Sequence, residues 1–231
     1  MSAAAALAQI GLALKHNVLY LDGGWQTLVD GLVERAKSKG VVIGCAKPVE
    51  NLGQIRADGV VLAVGSQAVE RLTGVPVPGK RRAARMATLD LCLDRMPHTL
   101  VAFAIDRPTY WSTHSAYARV APNGRAMVHV AKYLGDQLGD ADPDRRELEE
   151  YATLIMPEWR QHARQTRFLP ELTVTEGVPG TEGRPEVDCL RIDGVAIAGD
   201  WVGAEGMLAD AAVASALKAA EVVQQAAMAA A

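Results

Sequence analysis

The chain ends in a strand, a glycine-containing loop and a long helix, and this unit constrains the fold more than any other segment. Residues 194–198 (GVAIA) are predicted to form a buried strand that stops at Gly199 and Asp200. A loop with Gly206 follows, and an alanine-rich helix is predicted to start near Leu208. Glycines let a ligand approach the backbone, and the free N–H groups at a helix start attract negative charge. The pattern predicts an α/β fold and a candidate site for an electron-rich group, although the same corner also occurs as ordinary packing.

A second α/β segment is predicted nearer the N-terminus. Gly23 and Gly24 precede apolar residues at helical spacing, and Gly40 stands where a left-handed helix cap is expected. Residues 66–72 are long enough for two helical turns, and residues 73–79 have the Gly and Pro content of a linker. Strands are predicted at residues 18–21, 41–46 and 59–64.

The middle of the chain has the alternation of an antiparallel sheet. Residues 101–105 are predicted to form a strand, and Asn123-Gly124 is a strong signal for a two-residue hairpin loop. That loop would pair Ala118 with His129 and His114 with Tyr133. The face that carries both histidines is mostly apolar and is therefore expected to face the core. A helix from Asp142-Pro143 to Met156 and a strand at residues 168–175 complete this region.

Composition narrows the functional classes. The 231 residues carry 24 Lys+Arg against 27 Asp+Glu, which removes the basic surface typical of nucleic-acid binding. Cys45, Cys92 and Cys189 are few and far apart, so no disulfide framework is expected and a reducing, cytoplasmic location fits. The apolar residues 1–14 are too few for a membrane span, which needs roughly 20, and no basic stretch precedes them. They are expected to form an N-terminal helix with one buried face.

Other candidate sites have weaker support. His114 and His129 would lie four residue rows apart on the predicted hairpin, about 13 Å, too far to share a metal ion. Asp140, Asp142 and Asp144 resemble a calcium loop, but Arg145 replaces the required glycine and a helix cap fits better. No metal site and no catalytic base are predicted. Four aromatic residues could line an apolar substrate pocket or belong to the core: Tyr110, Trp111, Tyr117 and Tyr133.

Two motifs together resemble the superfamily of flavin amine oxidases and phytoene desaturase-like FAD-dependent oxidoreductases. The first is Gly199-Asp200-Trp201 followed by residues 206–212 (GMLADAA) and Ser215, similar to the C-terminal FAD-binding segment of that superfamily. The second is residues 21–29 (LDGGWQTLV), similar to its Gly-Gly helix, with Val49 and residues 58–61 (DGVV) downstream. The resemblance extends over nearly the whole chain.

The resemblance implies an FAD cofactor and a set of contacts to it. Asp200 would bind a ribityl hydroxyl or the pyrophosphate, and Gly199 would allow the close approach. N–H groups around Leu208 and Ala209 would face the pyrimidine edge of the flavin, where reduction adds negative charge. Val49 would contact the adenine. The cofactor-binding residues implied are Val49, Gly199, Asp200, Trp201, Gly206, Met207, Leu208 and Ala209.

One motif of the superfamily is not found in the 231 residues. Its members begin with a strand, a G-x-G-x-x-G turn and a helix that bind the FAD pyrophosphate, and no such glycine pattern occurs here. The resemblance therefore implies the C-terminal half of a flavoprotein. Residues 17–74 and 186–231 are assigned to a partial, Rossmann-like FAD-binding domain, residues 75–185 to an inserted antiparallel-sheet substrate domain, and residues 1–16 to the N-terminal helix.

Three functions follow from these observations. The first is an FAD-dependent oxidoreductase that transfers a hydride from a small organic substrate to flavin. The second is a non-catalytic or split-enzyme subunit that needs a partner chain carrying the glycine-rich half. The third is an α/β protein that binds a nucleotide at the C-terminal corner without redox function.

Overall fold

The computed structural model describes residues 1–16, 19–79, 82–135 and 139–230, which divide into two compact units. Each unit has its own sheet and its own hydrophobic core. The parallel-sheet unit contains Met1–His16, Ala46–Ala84 and Val174–Ala231, and the antiparallel-sheet unit contains Asn17–Cys45 and Arg85–Thr173. Residues 17–45, assigned above to the FAD-binding domain, thus group with the antiparallel sheet.

The parallel-sheet unit is built on two short strands, β1 (Val60–Leu62) and β7 (Val195–Ile197), paired in parallel with Val61 opposite Ala196. Two helices, α3 (Ser66–Thr73) and α6 (Ala209–Ala230), belong to the same unit. Both strands and the last helix agree with the sequence prediction, because continuous apolar runs between glycines are typical of buried strands. Its core includes Leu62, Val69, Val187, Ile197, Trp201 and Ala219.

The N-terminal helix α1 (Ala3–His16) forms as predicted, but no residue of it that the structure describes is buried. Leu7 and Leu14 are 69% and 84% exposed, so the expected burial of one face is not found within this unit. No helix in the described part of the chain combines the length and the apolar character that a membrane crossing requires.

The antiparallel-sheet unit has five strands: β2 (Ala84–Leu93), β3 (Val101–Phe103), β4 (Thr109–Thr113), β5 (Ala126–Leu134) and β6 (Ala163–Thr175). They lie in the sheet in the order β3-β4-β5-β2-β6. Strand β2, which was not predicted from the sequence, is an interior strand, because it lies between β5 and β6. Three helices accompany the sheet: α2 (Trp25–Ser38), α4 (Ala141–Ile155) and the short α5 (Trp159–His162).

The two faces of this sheet differ in chemistry. Leu89 and Leu91 of β2 and Val130 of β5 belong to the core cluster that also contains Leu148 and Tyr151 of α4. On this same face Lys132 of β5 is hydrogen-bonded to Asp144 and Glu147 of α4. The alternate residues face the other way, and among them Asp90 stands opposite His129. The sheet therefore presents one apolar face to α4 and one polar face.

The hairpin register predicted from Asn123-Gly124 is wrong. Strand β4 ends at Thr113, which pairs with Val128, and Ser112 rather than Ala118 stands opposite His129. A 3-10 turn at His114–Ala116 begins a twelve-residue connection, residues 114–125, in place of a two-residue loop. The face with His129 is also not the core face, because Val128 and Val130 take that position. Asn-Gly still marks a turn, where Gly124 has a φ of 77°.

The segment before α2 is attached to this long connection. Asp22 accepts hydrogen bonds from the Arg119 backbone N–H at 2.8 Å and from its Nε at 2.9 Å, and Gly23 N–H donates to Arg119 O. These bonds lower the pKa of Asp22 below its usual value. Gly23 and Gly24 have φ of 78° and 75°, the region in which glycine is favoured, so the Gly-Gly pair makes the turn into the helix.

Two predicted strands are not formed. Residues 41–46 have no strand pairing and are exposed, with Val42 at 92%, and the described residues 19–21 of the first predicted strand are likewise unpaired. Residues 17 and 18 lie outside the described residues. An apolar run becomes a strand only when a neighbouring strand accepts its hydrogen bonds, and none does so here among the described residues. The predicted helix at residues 25–38 does form, although none of its residues is buried.

Candidate functional site

The bend after β7 is fixed to the last helix by one serine. Gly199 N–H donates to Ser215 Oγ at 3.0 Å, and that hydroxyl also lies 3.0 Å from Gly199 O. Ser215 is 3% exposed, so the bond is shielded from water. The end of the strand is thereby held beside the second turn of α6. The sequence expectation that Gly199 lies near the start of this helix agrees with the contact.

Trp201 supports the bend from inside the unit. Its side chain is 2% exposed and belongs to the core with Ile197 and Val202. A Cβ on Gly199 would lie 2.7 Å from the indole Nε1, closer than side chains approach one another. Glycine is therefore required at residue 199 because the backbone passes directly over the buried ring.

Arg184 holds together the loop that connects β7 to α6. Its guanidinium donates to four carbonyl oxygens, at distances between 2.6 and 3.0 Å. Burial lowers the pKa of this arginine, yet a guanidinium stays charged in proteins. The guanidinium group of Arg184 thus binds four backbone carbonyls of this loop, those of Asp200, Gly203, Glu205 and Gly206.

Replacing Arg184 with methionine should release this loop. Four carbonyl groups lose a charged donor, and a hydrogen bond to a charged group contributes about 1.5–3 kcal/mol where water cannot replace it. Because the loop is largely exposed, we expect a loss of about 1–2 kcal/mol in unfolding free energy and at least tenfold faster amide exchange over residues 199–206. The matched control is Arg71→Met at an exposed position of α3. A similar exchange rate in both variants would contradict the role of Arg184.

The start of the last helix has unusual backbone geometry. Gly206 and Leu208 have φ of 62° and 54°, and a Cβ on Gly206 would lie 3.0 Å from Ala211 N. The Asp210 N–H donates to Met207 O, which closes a turn just before the helix. A positive φ at a leucine is strained, and such strain is found where a loop has to hold a specific shape. The helix begins at Ala209, one residue after the predicted start.

The eight implied cofactor-binding residues fall into two groups. Seven lie in one continuous bend between Gly199 and Ala209, with Trp201 pointing into the core. Val49 lies in a separate segment before the 3-10 turn at Leu52–Gln54 and is 44% exposed. Arg184 was missed, because nothing in its local sequence relates it to a loop 16 to 22 residues further along the chain.

A second group of polar side chains lies on the polar face of the antiparallel sheet. Asp90 of β2 is 6% exposed, and its Oδ1 lies 2.6 Å from His129 Nδ1. Its Oδ2 accepts from Arg167 Nε and Nη2 at 2.9 and 2.6 Å. Burial would raise the pKa of Asp90, but the hydrogen bonds from His129 and Arg167 outweigh it, so the pKa lies below its usual value. Asp90 is therefore a charged carboxylate between two basic side chains.

His114 lies against His129, which corrects the 13 Å separation expected from sequence. The two ring centroids are 4.2 Å apart, because the 3-10 turn brings His114 back over the sheet. Burial and the neighbouring His129 lower the pKa of His114 to about 4, against the opposite effect of Asp90. Even so, no group of three or more metal-binding side chains occurs among the residues that the structure describes.

A cavity of about 310 Å³ opens beside this cluster. Asp90 and Cys92 of β2, Met127 and His129 of β5, and Arg167 of β6 contribute to its lining. Its size is at the lower end of the range for small-molecule sites, roughly 300–1,000 Å³. It lies wholly within the antiparallel-sheet unit.

The four aromatic residues considered from sequence divide between the two faces. Trp111 is fully buried in the core, with its indole Nε1 3.0 Å from Thr99 O. Tyr110 and Tyr133 lie on the other face with ring centroids 6.1 Å apart. Tyr117 stacks on Tyr20 at 5.3 Å, and Tyr20 in turn meets His114 edge-on. The polar face is thus bordered by aromatic rings, while Trp111 is a core residue.

Comparison with known proteins gives similarity in structure only. The chain matches no protein-family model and no curated protein sequence. An oxidoreductase from Methanosarcina mazei aligns over 87% of this chain and 55% of its own length, with 15% identity and a TM-score of 0.57. A protein from Pyrococcus furiosus aligns over 88% and 53%, with 16% identity and a TM-score of 0.60. A candidate protoporphyrinogen oxidase from Exiguobacterium aligns over 74% and 41%, with 14% identity and a TM-score of 0.50.

Likeness at such identities establishes a fold and leaves activity open. The chain spans about half the length of the first two of these structures. The mixed α/β fold predicted from the sequence, with a parallel and an antiparallel sheet, is confirmed, and it is consistent with part of an FAD-binding oxidoreductase-like fold.

Proposed function

We propose that this chain forms the C-terminal part of an FAD-dependent oxidoreductase of the amine oxidase or phytoene dehydrogenase-like type. The observation that carries the proposal is the bend of residues 199–209, which runs from a parallel strand into the start of a 22-residue helix. A helix start of this kind stabilises negative charge on a bound group. The structural likeness to a solved oxidoreductase from Methanosarcina mazei supports the choice of chemistry.

The residues of the bend fit a flavin cofactor in two respects. Asp200 offers a half-buried carboxylate next to Gly199, whose lack of a side chain lets the backbone pass close to the buried Trp201 ring. Leu208 and Ala209 stand at the positive end of the helix. Val49 would approach the adenine from its own exposed segment. FAD, when bound, would supply the redox chemistry by accepting a hydride equivalent from a small organic substrate.

The experiment that tests the proposal is a visible absorption spectrum of the purified protein. The 231-residue chain is produced alone and together with the polypeptide encoded immediately upstream, each with added FAD. We expect flavin absorption in at least one preparation, with bound FAD in a one-to-one ratio after gel filtration. If neither preparation retains FAD, the proposal is wrong.

The expected effect of Asp200→Asn is at least tenfold weaker FAD binding with an unchanged unfolding midpoint. A carboxylate that accepts a hydrogen bond from a ribityl hydroxyl makes a charge-assisted bond, about twice as strong as the amide can make. The matched control is Asp193→Asn, an exposed carboxylate of the same unit. Equal FAD affinity in the two variants, measured by quenching of flavin fluorescence, would remove Asp200 from the proposed site.

A second candidate function is a subunit that binds the glycine-rich FAD-binding half as a separate chain. The observation that favours it is the apolar face of α2, where Trp25 is 63% and Leu32 61% exposed, with no residue of the helix buried. Apolar residues at helical spacing normally cover a core, so such a face favours a protein partner. A stable complex with the separately produced upstream polypeptide, together with flavin absorption found only in that complex, would support this function. Flavin bound by the 231 residues alone would exclude it.

A further inference from the structure

The two edges of the five-stranded sheet differ in how they are protected against further strand pairing. Strand β6 forms one edge and carries Pro170, which lacks an N–H, and the charged residues Arg167 and Glu171. Proline and charged side chains on an edge strand discourage another strand from pairing with it. Strand β3 forms the other edge, and its three residues, Val-Ala-Phe, include neither. The β3 edge is therefore the one that can accept a further strand.

The backbone groups of β3 alternate between the sheet and the open side. Ala104 N–H donates to Thr109 O, and Ala102, two residues earlier, has the same phase. In an antiparallel pair every second residue directs its N–H and C=O toward the neighbouring strand. Val101 and Phe103 therefore direct theirs away from β4, and no group in the described part of the chain is hydrogen-bonded to them. The open side of β3 thus presents two donors and two acceptors.

The side chains along this edge are apolar and exposed. Val101 is 42% and Phe103 is 74% exposed, and Ile105, just beyond the strand, is fully exposed. The Phe103 ring meets Tyr110 of β4, with 6.0 Å between the ring centroids, so it lies on the polar face of the sheet. A row of exposed apolar side chains beside unpaired backbone groups is a typical site for strand addition. One added strand would satisfy the backbone groups and cover both side chains.

A second copy of β3 is complementary to this edge. A two-fold axis through Ala102, perpendicular to the sheet, places the two strands antiparallel, with Val101 of one protomer opposite Phe103 of its partner. Both residues of such a pair direct their N–H and C=O outward, so the two symmetry-related pairs form four hydrogen bonds. Each pair also brings a β-branched side chain against an aromatic ring, which is a favourable cross-strand combination. The same three residues therefore supply both halves of the interface.

We propose that the chain forms a two-fold dimer in which the β3 strands of two copies pair antiparallel and join the two five-stranded sheets into one. The contact is small: a standard interface buries about 800 Å² per partner, and the short strand with its apolar neighbours supplies roughly half of that. The dimer is therefore reversible, with a dissociation constant on the order of 10–100 μM. It needs no flavin and goes beyond the proposed function.

Sedimentation equilibrium of the 231-residue chain between about 1 and 300 μM measures the association. We expect the average mass to rise from that of one chain toward that of two. Phe103→Lys should weaken the association at least tenfold, because each dimer would have to cover two ammonium groups at its centre. The matched control is Leu172→Lys on β6, an exposed leucine of the opposite edge, which should associate as the wild type does.

Disulfide formation tests the register of the two strands. Ala102 lies on the axis in a pair without mutual hydrogen bonds, where the two Cα atoms are about 4.5 Å apart and within reach of a disulfide. In a background with the exposed Cys45 replaced by serine, Ala102→Cys should form a linked dimer under mild oxidation. Ile105→Cys should not, because residue 105 lies about 20 Å from its symmetry mate at roughly 3.3 Å per residue.

Circular dichroism and thermal unfolding establish that each variant is folded. A wild-type chain that remains monomeric up to about 300 μM would overturn the proposal. Equal association of Phe103→Lys and Leu172→Lys would show that any dimer forms through another surface. Absence of a disulfide in Ala102→Cys, or one formed as efficiently in Ile105→Cys, would refute the antiparallel pairing about Ala102.

Discussion

Replacing Trp201 with alanine is expected to lower the unfolding free energy of the parallel-sheet unit by about 3–5 kcal/mol. The side chain is 2% exposed and is one of the largest that this unit buries. Truncation removes its apolar burial and leaves a cavity, because Gly199 and Gly177 pack closely against the residue and cannot fill the space with side chains. The loss is a large fraction of the roughly 5–15 kcal/mol by which a domain is typically stable, so the unit would unfold at much lower urea.

Urea denaturation followed by far-ultraviolet circular dichroism measures this loss. Trp201→Phe keeps most of the apolar volume and should recover more than half of the lost stability. The matched control is Trp25→Ala, because Trp25 is 63% exposed on α2 and the same truncation removes little buried area there. If Trp201→Ala and Trp25→Ala destabilise equally, the support of the bend by the buried ring is refuted.

Local patterns explain which parts of the fold could be predicted from the sequence. The strand, bend and helix at residues 194–230 follow one another in the chain, so glycine positions and apolar runs were sufficient to place them. The helix at residues 25–38 has helical spacing and a glycine after its end, and it also forms where predicted. In these segments the residues that determine the structure are sequence neighbours.

Long-range pairing explains where the prediction failed. Strand β2 was missed, since its position inside the sheet depends on β5 and β6, and β5 lies about 40 residues further along the chain. The predicted strand at residues 41–46 has the apolar residues of a strand but no partner among the described residues. Asn123-Gly124 predicted the position of a turn but not the length of the connection. The 3-10 turn at His114–Ala116 contains residues that a two-residue loop would have placed in a strand paired with β5.

The candidate sites differ in the same way, because one depends on residues adjacent in sequence and the other on strand pairing. The implied flavin contacts are consecutive and could be read from a motif, whereas Arg184 reaches the bend from a separate segment. The cluster of Asp90, His129 and Arg167 joins three strands, and the pairing of Asp90 with His129 exists only in the register of β2 with β5. The sequence placed His114 and His129 far apart because it did not predict the 3-10 turn that brings His114 back over the sheet.

Acidification from pH 7 to pH 5 is expected to destabilise the antiparallel-sheet unit by about 2 kcal/mol through His114 alone. The pKa of this histidine is lowered by burial to about 4, from the 6.5 of an exposed imidazole. Between these values the unfolded chain binds a proton that the folded chain rejects, so stability falls as pH falls; above pH 7 both states are neutral and the effect vanishes. The loss reaches about 3 kcal/mol near pH 4 and is complete only at lower pH, where the folded chain also binds the proton.

His114→Gln removes this dependence because glutamine stays neutral in both states. Urea midpoints at pH 7, 6 and 5 should fall less in His114→Gln than in the wild type, by a difference equivalent to about 2 kcal/mol at pH 5. The matched control is His98→Gln, since His98 is exposed and its replacement should leave the pH profile unchanged. Asp90 contributes with the same sign at lower pH: its pKa is depressed by His129 and Arg167, so its stabilisation is present above pH 4 and is lost below it. A wild-type profile that matches His114→Gln down to pH 5 would show that burial next to His129 does not keep His114 neutral.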